Sequence, residues 1–313
     1  MAGSRGVVLA ALFANGAIAV LKFLGFILTG SPSMLSETYH SVSDTGNQVF
    51  LLIGIRYSDK QTSREHPFGY GKAQFFYSFL VAVLLFGIAG WESVKHGYDA
   101  IVHGTHGVAG PVSIAGFSFP SWYVNVAVLL GAIGFESYAF AKANKELRRQ
   151  IDKYGWTGLR DAFRKTSDVT TLTAFTEDTI ALLGAGLALA GILLSKTTGN
   201  EIYDAVTALL IGIMLMGFAV ALAWENKRLL LGESLPAEVE AELRAAIENA
   251  PEVVHIDTFR TVYIGPQSVL VTTDVSFVPE TQAIDLDELI ADLEDELRAV
   301  DDRIEHVYVE PEV

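Results

Sequence analysis

The sequence predicts an α-helical membrane protein: six transmembrane helices followed by a compact cytoplasmic α+β domain of order αββαβ. Three observations predict it. Half of the 313 residues are hydrophobic and only 19% are charged, with a positive mean hydropathy. That mix excludes a disordered chain and an ordinary soluble enzyme. The apolar residues gather into long runs that stop near residue 230, and the charge divides at the same place. Residues 1–230 carry 18 Lys+Arg and 16 Asp+Glu, whereas 231–313 carry 4 against 21. The net charge of −15 therefore belongs to the C-terminal segment, and the expected domains are 1–230 and 231–313. There is no cysteine, which removes disulfides, thiolate zinc sites, iron–sulfur clusters and a cysteine nucleophile.

A hydrocarbon core of about 30 Å takes about 20 apolar helical residues to cross. The runs 7–28, 34–55, 75–91, 123–141, 170–194 and 205–224 meet or approach that length. The first is too long for a signal-peptide core and lacks a small-residue cleavage motif, so it reads as an anchor. Connections rich in Gly, Pro and polar residues separate the runs at 29–33, 96–121 and 196–201. Orientation follows from Lys and Arg in the connections. With the N-terminus inside, 15 of them fall on the cytoplasmic side, while Lys95 and Lys196 fall outside. Both termini are expected in the cytoplasm, in a multi-pass protein of the cell membrane.

After Pro236 the pattern changes. Residues 238–249 have helical spacing, with Val239, Leu243 and Ile247 on one face. Segments 253–264 and 269–278 alternate as strands around Gly265-Pro266. A second amphipathic helix is expected over 284–300, with Leu286, Leu289, Ile290, Leu293 and Leu297 as its stripe, and a last strand over 306–310.

A plain anchor would have apolar spans, because an ionisable group at membrane depth costs a few kcal/mol or more. These spans are not plain. In the second, His40 and Asp44 are four apart and share a helix face that Asn47 extends. Asp44 lies about 15 Å in from Met34 at the helical rise. The fifth run, antiparallel to the second, carries Glu177 and Asp178 near the same depth. One imidazole and up to three carboxylates suit a divalent first-row cation, Zn²⁺ first, then Mn²⁺, Fe²⁺, Co²⁺ or Ni²⁺. A bare carboxylate in that setting binds a proton instead, so metal and proton compete for the same atoms. The bland alternative is a His–carboxylate staple between two helices, and two adjacent acids exceed what a staple needs.

Glu177 points about 100° away from Asp178 around the helix, so it is either a fourth ligand or a supporting or solvent-facing group. Asn15 and Glu136 either line the pathway or bond helix to helix. Lys22 either snorkels or pairs with an acid. His103 and His106, in the outer connection, read as solvated.

These residues resemble the cation diffusion facilitators, the zinc-transporter-type metal/proton antiporters. The resemblance is carried by Ser31-Pro-Ser-Met-Leu-Ser-Glu-Thr-Tyr-His-Ser-Val-Ser-Asp44 and by His66-Pro-Phe-Gly-Tyr-Gly-Lys72. Glu177-Asp178 with Gly184, and Asp204 opening the sixth run, add to it. It implies a ferredoxin-like cytoplasmic domain, a homodimer, and metal efflux by alternating access in exchange for protons. The chain is then a transporter rather than an enzyme, with no cofactor beyond the cation it carries. His40, Asp44 and Asp178 match ligands of the transport site. The sequence departs where the family commonly has His or Asp, at Ala174, and Glu177 would supply the missing oxygen. This marks a divergent subgroup. His66 matches one ligand of a second, loop-borne site, but Tyr70 stands where histidine is common; otherwise Gly69, Gly71 and Lys72 shape a turn. In some members the terminal domain binds zinc between partners. Here Asp257, Thr273 and Glu310 occupy those positions, with His255 and His306 nearby on strand surfaces, so dimerisation is the domain's expected role. The competing reading is a membrane-anchored metal sensor or scaffold without transport. The acidic tail disfavours nucleic acid and suits a cytoplasm at molar salt, as in a halophilic prokaryote.

Overall fold

The apolar runs fold as helices that outrun them at both ends. The computed structural model describes residues 2–104, 111–114, 117–165, 169–279, 281 and 283–312. The long helices are α1 (Ala2–Thr29) and α2 (Pro32–Ser58), then α3 (Ala73–Leu84) continued through a π-helical segment (Leu85–Gly90) into α4 (Trp91–His103). After a two-stranded antiparallel hairpin, β1 (Pro111–Ile114) and β2 (Phe117–Pro120), come α5 (Ser121–Tyr154), the short α6 (Leu159–Lys165), α7 (Val169–Thr198) and α8 (Ile202–Leu231). Polar and basic ends such as Lys142–Lys153 keep helical hydrogen bonding once outside the apolar stretch, which is why hydropathy alone draws the helices too short. The hairpin, in the Gly- and Pro-containing connection 96–121, and α6, in the basic stretch after the fourth run, were not expected.

Among the described residues, five stretches are long and apolar enough to cross a membrane: Leu12–Thr29, Ala73–His103, Ser121–Lys153, Ala174–Thr198 and Ile202–Leu231. The sixth helix, α2, has 27 residues but buries Ser33, Ser36, Glu37, Thr38, His40, Ser41 and Asn47. Its polar stripe lowers its hydropathy and faces inward, so lipid need not meet it. The outer faces of the other helices are apolar: Phe13, Leu24, Leu130, Ile213, Val220 and Trp224 are exposed, a surface that hydrocarbon covers and water would not.

The chain divides into two compact units, Met1–Gly54 with Tyr77–Glu225, and Ile55–Phe76 with Asn226–Val313. The core of the first includes Met34, Leu129, Ile211 and Leu215, all fully buried. α7 and α1 both pack along α5. α4 meets α8 backbone to backbone at small residues: a Cβ on Gly97 would lie 2.5 Å from the Leu209 nitrogen, and one on Gly212 2.6 Å from the Val94 nitrogen. Glycine is used here for close approach, as is common between membrane helices.

The second unit has the expected order, α9 (Ala237–Glu248), β3 (Val253–Gly265), β4 (Ser268–Phe277), α10 (Ala283–Val300) and β5 (Ile304–Glu312). β3 and β4 form an antiparallel hairpin, and β5 lies parallel on the other side of β4. Val269, Val271, Thr273, Val275 and Phe277 alternate inward along β4 and the helices contribute Leu243, Ile247, Leu293 and Leu297 to the same core. The connection between α2 and α3 belongs to this unit. Gly71 fits against the hairpin tip, where a Cβ would lie 2.5 Å from the Ile264 carbonyl oxygen and 2.8 Å from Gly265 Cα. Phe68 meets His306 edge-on, ring centroids 5.5 Å apart.

Candidate metal site

His40 and Asp44 stand side by side on α2, with Nδ1 3.5 Å from Oδ1, as a spacing of four on a helix requires. His40 is 1% exposed, and neither of its ring nitrogens has a hydrogen-bond partner among the described residues. An imidazole buried in that way costs about 1–3 kcal/mol unless a partner meets its nitrogens. Asp44 is 13% exposed. One turn further along, the Asn47 amide donates to the Glu177 carboxylate, joining α2 to α7. Asp178, next to Glu177, is half-buried. Asp44 lies within electrostatic reach of Glu177 and Glu136, and Asp178 within reach of Glu136. Glu136 is buried on α5, 6% exposed.

The groups are therefore arranged as two halves. Among the described residues no three His, Asp or Glu side chains gather closely enough to hold one ion; His40 and Asp44 form one wall, and Glu177 and Asp178 the other. Glu177 is turned toward Asn47, which answers the question raised by its angle around the helix: it faces α2.

Two further buried polar clusters involve the same helix bundle, one near the middle of it and one at its end. Lys22 does not snorkel. It is fully buried on α1 and donates to Glu37 Oε2 at 2.7 Å, with both side chains 0% exposed. A lysine in mid-helix would reach for the membrane surface only if no acid were nearer, and here one is. Glu37 was not among the expected site residues, although 37, 40, 44 and 47 form one stripe at steps of three and four. At the end of the bundle that holds the α1–α2 and α7–α8 turns, Ser31 donates to Asp204 Oδ2 at 2.6 Å and Ser33 donates to Oδ1. Asp204, Glu201, Lys196, Asn125 and Ser31 line a cavity of about 280 Å³ there.

Asn15 is half-buried on α1, next to Gly16, whose Cβ would lie 3.9 Å from Thr45 of α2. His103 is exposed at the end of α4, and His106 lies outside the described residues. His66 is exposed and stacks on Tyr70 with ring centroids 4.3 Å apart, while Tyr70 meets Tyr57 at 5.6 Å. On the terminal sheet, Asp257 accepts from Ser276 at 2.7 Å and Thr273 donates to the Thr258 carbonyl at 2.9 Å. His255 is exposed and His306 packs on Phe68.

The family model described as the cation efflux transmembrane domain matches residues 8–231. The proton-coupled zinc antiporter SLC30A9 of mitochondria, from Homo sapiens, is 30% identical over 275 residues, which are 88% of this chain and 46% of that protein. Metal tolerance protein C4 of Arabidopsis thaliana is 25% identical over 274 residues, 88% of this chain and 57% of that protein. The magnetosome protein MamM of Paramagnetospirillum magneticum is 33% identical over 88 residues, 28% of each chain. The chain spans about half the length of the first two relatives.

Proposed function

Because the chain belongs to the cation efflux family, also called the cation diffusion facilitators, we propose that it moves a divalent transition metal out of the cytoplasm in exchange for protons. Zn²⁺ is the first choice. The names of two relatives, a proton-coupled zinc antiporter and a metal tolerance protein, favour that substrate class. The observation that carries the reading is the way α2 and α7 face one another. Asn47 reaches Glu177 at one point of contact, and Glu37 bears on Gly184 at another. Measured from the Glu37–Gly184 contact, Asp44 lies about 10.5 Å along α2 and Asp178 about 9 Å along α7 in the same direction. The two acids thus share a level to within about 2 Å.

In this reading His40 gives a nitrogen and Asp44, Asp178 and Glu177 give oxygens, one nitrogen and three oxygens that suit a tetrahedral cation. The cation draws the two walls together and offsets their charge; when it leaves, protons take over that compensation. Exchange follows because both cargoes need the same oxygens. The cavity beside Asp204 is the mouth through which the ion leaves. The connection 55–76 and the segment 226–313 form one compact unit, which favours having both on one side of the membrane. The Lys and Arg distribution makes that side the cytoplasm, and both termini lie there. The second unit pairs two copies into a homodimer.

Purified protein in proteoliposomes, assayed for zinc-driven proton flux, tests the proposal. Asp44→Ala and Asp178→Ala are each expected to abolish the flux while leaving the folded protein intact. Wild-type flux from either variant would end the assignment, and zinc binding by the unaltered protein without any flux would put an anchored sensor in its place.

A further inference from the structure

Lys22, Glu37 and Gly184 meet at one point, from three different helices, and none of them belongs to the proposed ligand set. The lysine and glutamate are both 0% exposed and 2.7 Å apart. Glu37 Oε1 has no hydrogen-bond partner among the described residues. It stands where a side chain at 184 would begin, since a Cβ built on Gly184 would overlap that oxygen. A fully buried carboxylate held by a buried ammonium cannot simply swing aside, because moving it leaves an ion pair broken away from water. Glu37 therefore acts as a rigid spacer whose far side touches the α7 backbone.

That spacer sits on the stripe of α2 that carries His40 and Asp44, and Gly184 sits six residues from Asp178 on α7. Resting on the transport reading, we infer that Lys22, Glu37 and Gly184 are positioning residues which set the distance between the two walls of the metal site. Lys22 fixes Glu37 from α1, Glu37 meets Gly184, and the absence of a side chain there lets α7 come close enough for Asp178 and Asp44 to share an ion. Asn47–Glu177 closes the other end of the same contact. Ligand separation at a metal site is held to a fraction of an ångström, so a methyl group inserted at 184 acts on metal affinity before it acts on anything else.

The test is rescue between two helices. In proteoliposomes Gly184→Ala is expected to raise the KM for zinc about tenfold with maximal flux within about threefold, the size of effect that supporting groups have on metal affinity. Adding Glu37→Asp, which draws the carboxylate back by one methylene while the flexible lysine stem follows, is expected to return KM to within about threefold of the unaltered protein. A double variant no better than Gly184→Ala overturns the inference. If Gly184→Ala yields too little folded protein for flux, the same rescue is read from the folded fraction on size exclusion, and failure to recover that fraction overturns the inference equally. Glu37→Gln keeps the length of the spacer and removes its charge, so the transport that remains is expected to keep the pH profile of the unaltered protein; a shifted profile would give Glu37 a chemical part and overturn the positioning role. No flux from the unaltered protein would instead sink the transport reading itself.

Discussion

At the scale of single residues, the divergence at Ala174 matters most. In the proposed transport reading, with no ligand side chain there, the second wall depends on Glu177 beside Asp178, and Glu177 is held by Asn47. The Asn47 amide is its donor and is itself 7% exposed, held between α2 and α7. Replacing it with the similarly shaped Leu leaves the carboxylate without that donor and free to rotate. Asn47→Leu should therefore weaken zinc binding about 10–100-fold, the range found when groups that orient metal ligands are lost. Glu177→Gln separates the two possible parts of Glu177. The amide keeps a partner for Asn47 but is a poorer ligand, so a loss of flux larger than that of Asn47→Leu marks Glu177 as a ligand. Zinc titration of the purified variants, read beside flux, checks both. Equal and small effects would mean that Glu177 only ties the helices together.

At the scale of elements, packing between helices decides what the sequence could and could not reveal. The stripe on α2 was legible because periodicity of three and four survives in any helix, whatever its neighbours. His40, Asp44 and Asn47 are on one face as their spacing demands. For Lys22 the sequence left snorkelling and pairing with an acid both open, and that Glu37 is the acid was not legible, since the two sit on different helices and a turn's geometry joins them. The same holds for Gly71 against Gly265, which binds the α2–α3 connection to the terminal sheet across nearly two hundred residues. No local pattern announces such a contact. Glycines illustrate the difference sharply. Gly97 and Gly131 look alike in sequence, yet the first faces the Leu209 backbone at 2.5 Å and the second has nothing within 4 Å. Gly97→Ala has only backbone to push against, and overpacking of that kind costs about 1–3 kcal/mol. Gly131→Ala should stay within about 0.5 kcal/mol of the unaltered protein. Denaturant titration of both variants in detergent checks the contrast; equal midpoints would show that α4 and α8 are free to separate.

At the scale of the whole molecule, the charge is the feature that the transport site does not explain. Residues 231–313 hold 21 acids and 4 arginines, and three of the arginines are engaged locally. Arg298 bonds Glu294 at 2.8 Å, Arg303 bonds Asp301 at 2.5 Å, and Arg244 lies over the Phe259 ring at 4.8 Å. With 21 acids against four arginines, the segment keeps a large excess of negative charge. Repulsion among those charges acts over the screening length, about 10 Å at 0.1 M salt and about 3 Å at 1 M. The sheet of the second unit should accordingly be least stable in dilute buffer. In the full-length protein, amide exchange of β3, β4 and β5 is expected to slow steadily as KCl rises from about 0.1 M to about 1 M. A general effect of salt on apolar burial would produce some of the same trend, so a second chain is needed. Glu288, Asp292, Glu296 and Asp302 are exposed, and changing them to Gln or Asn removes four charges without touching the core. If self-repulsion governs, that variant exchanges slowly even at low salt and its salt dependence flattens. A salt response that persists undiminished in the variant would refute the adaptation to high salt, because removing four of the 21 acids must reduce a response set by their repulsion.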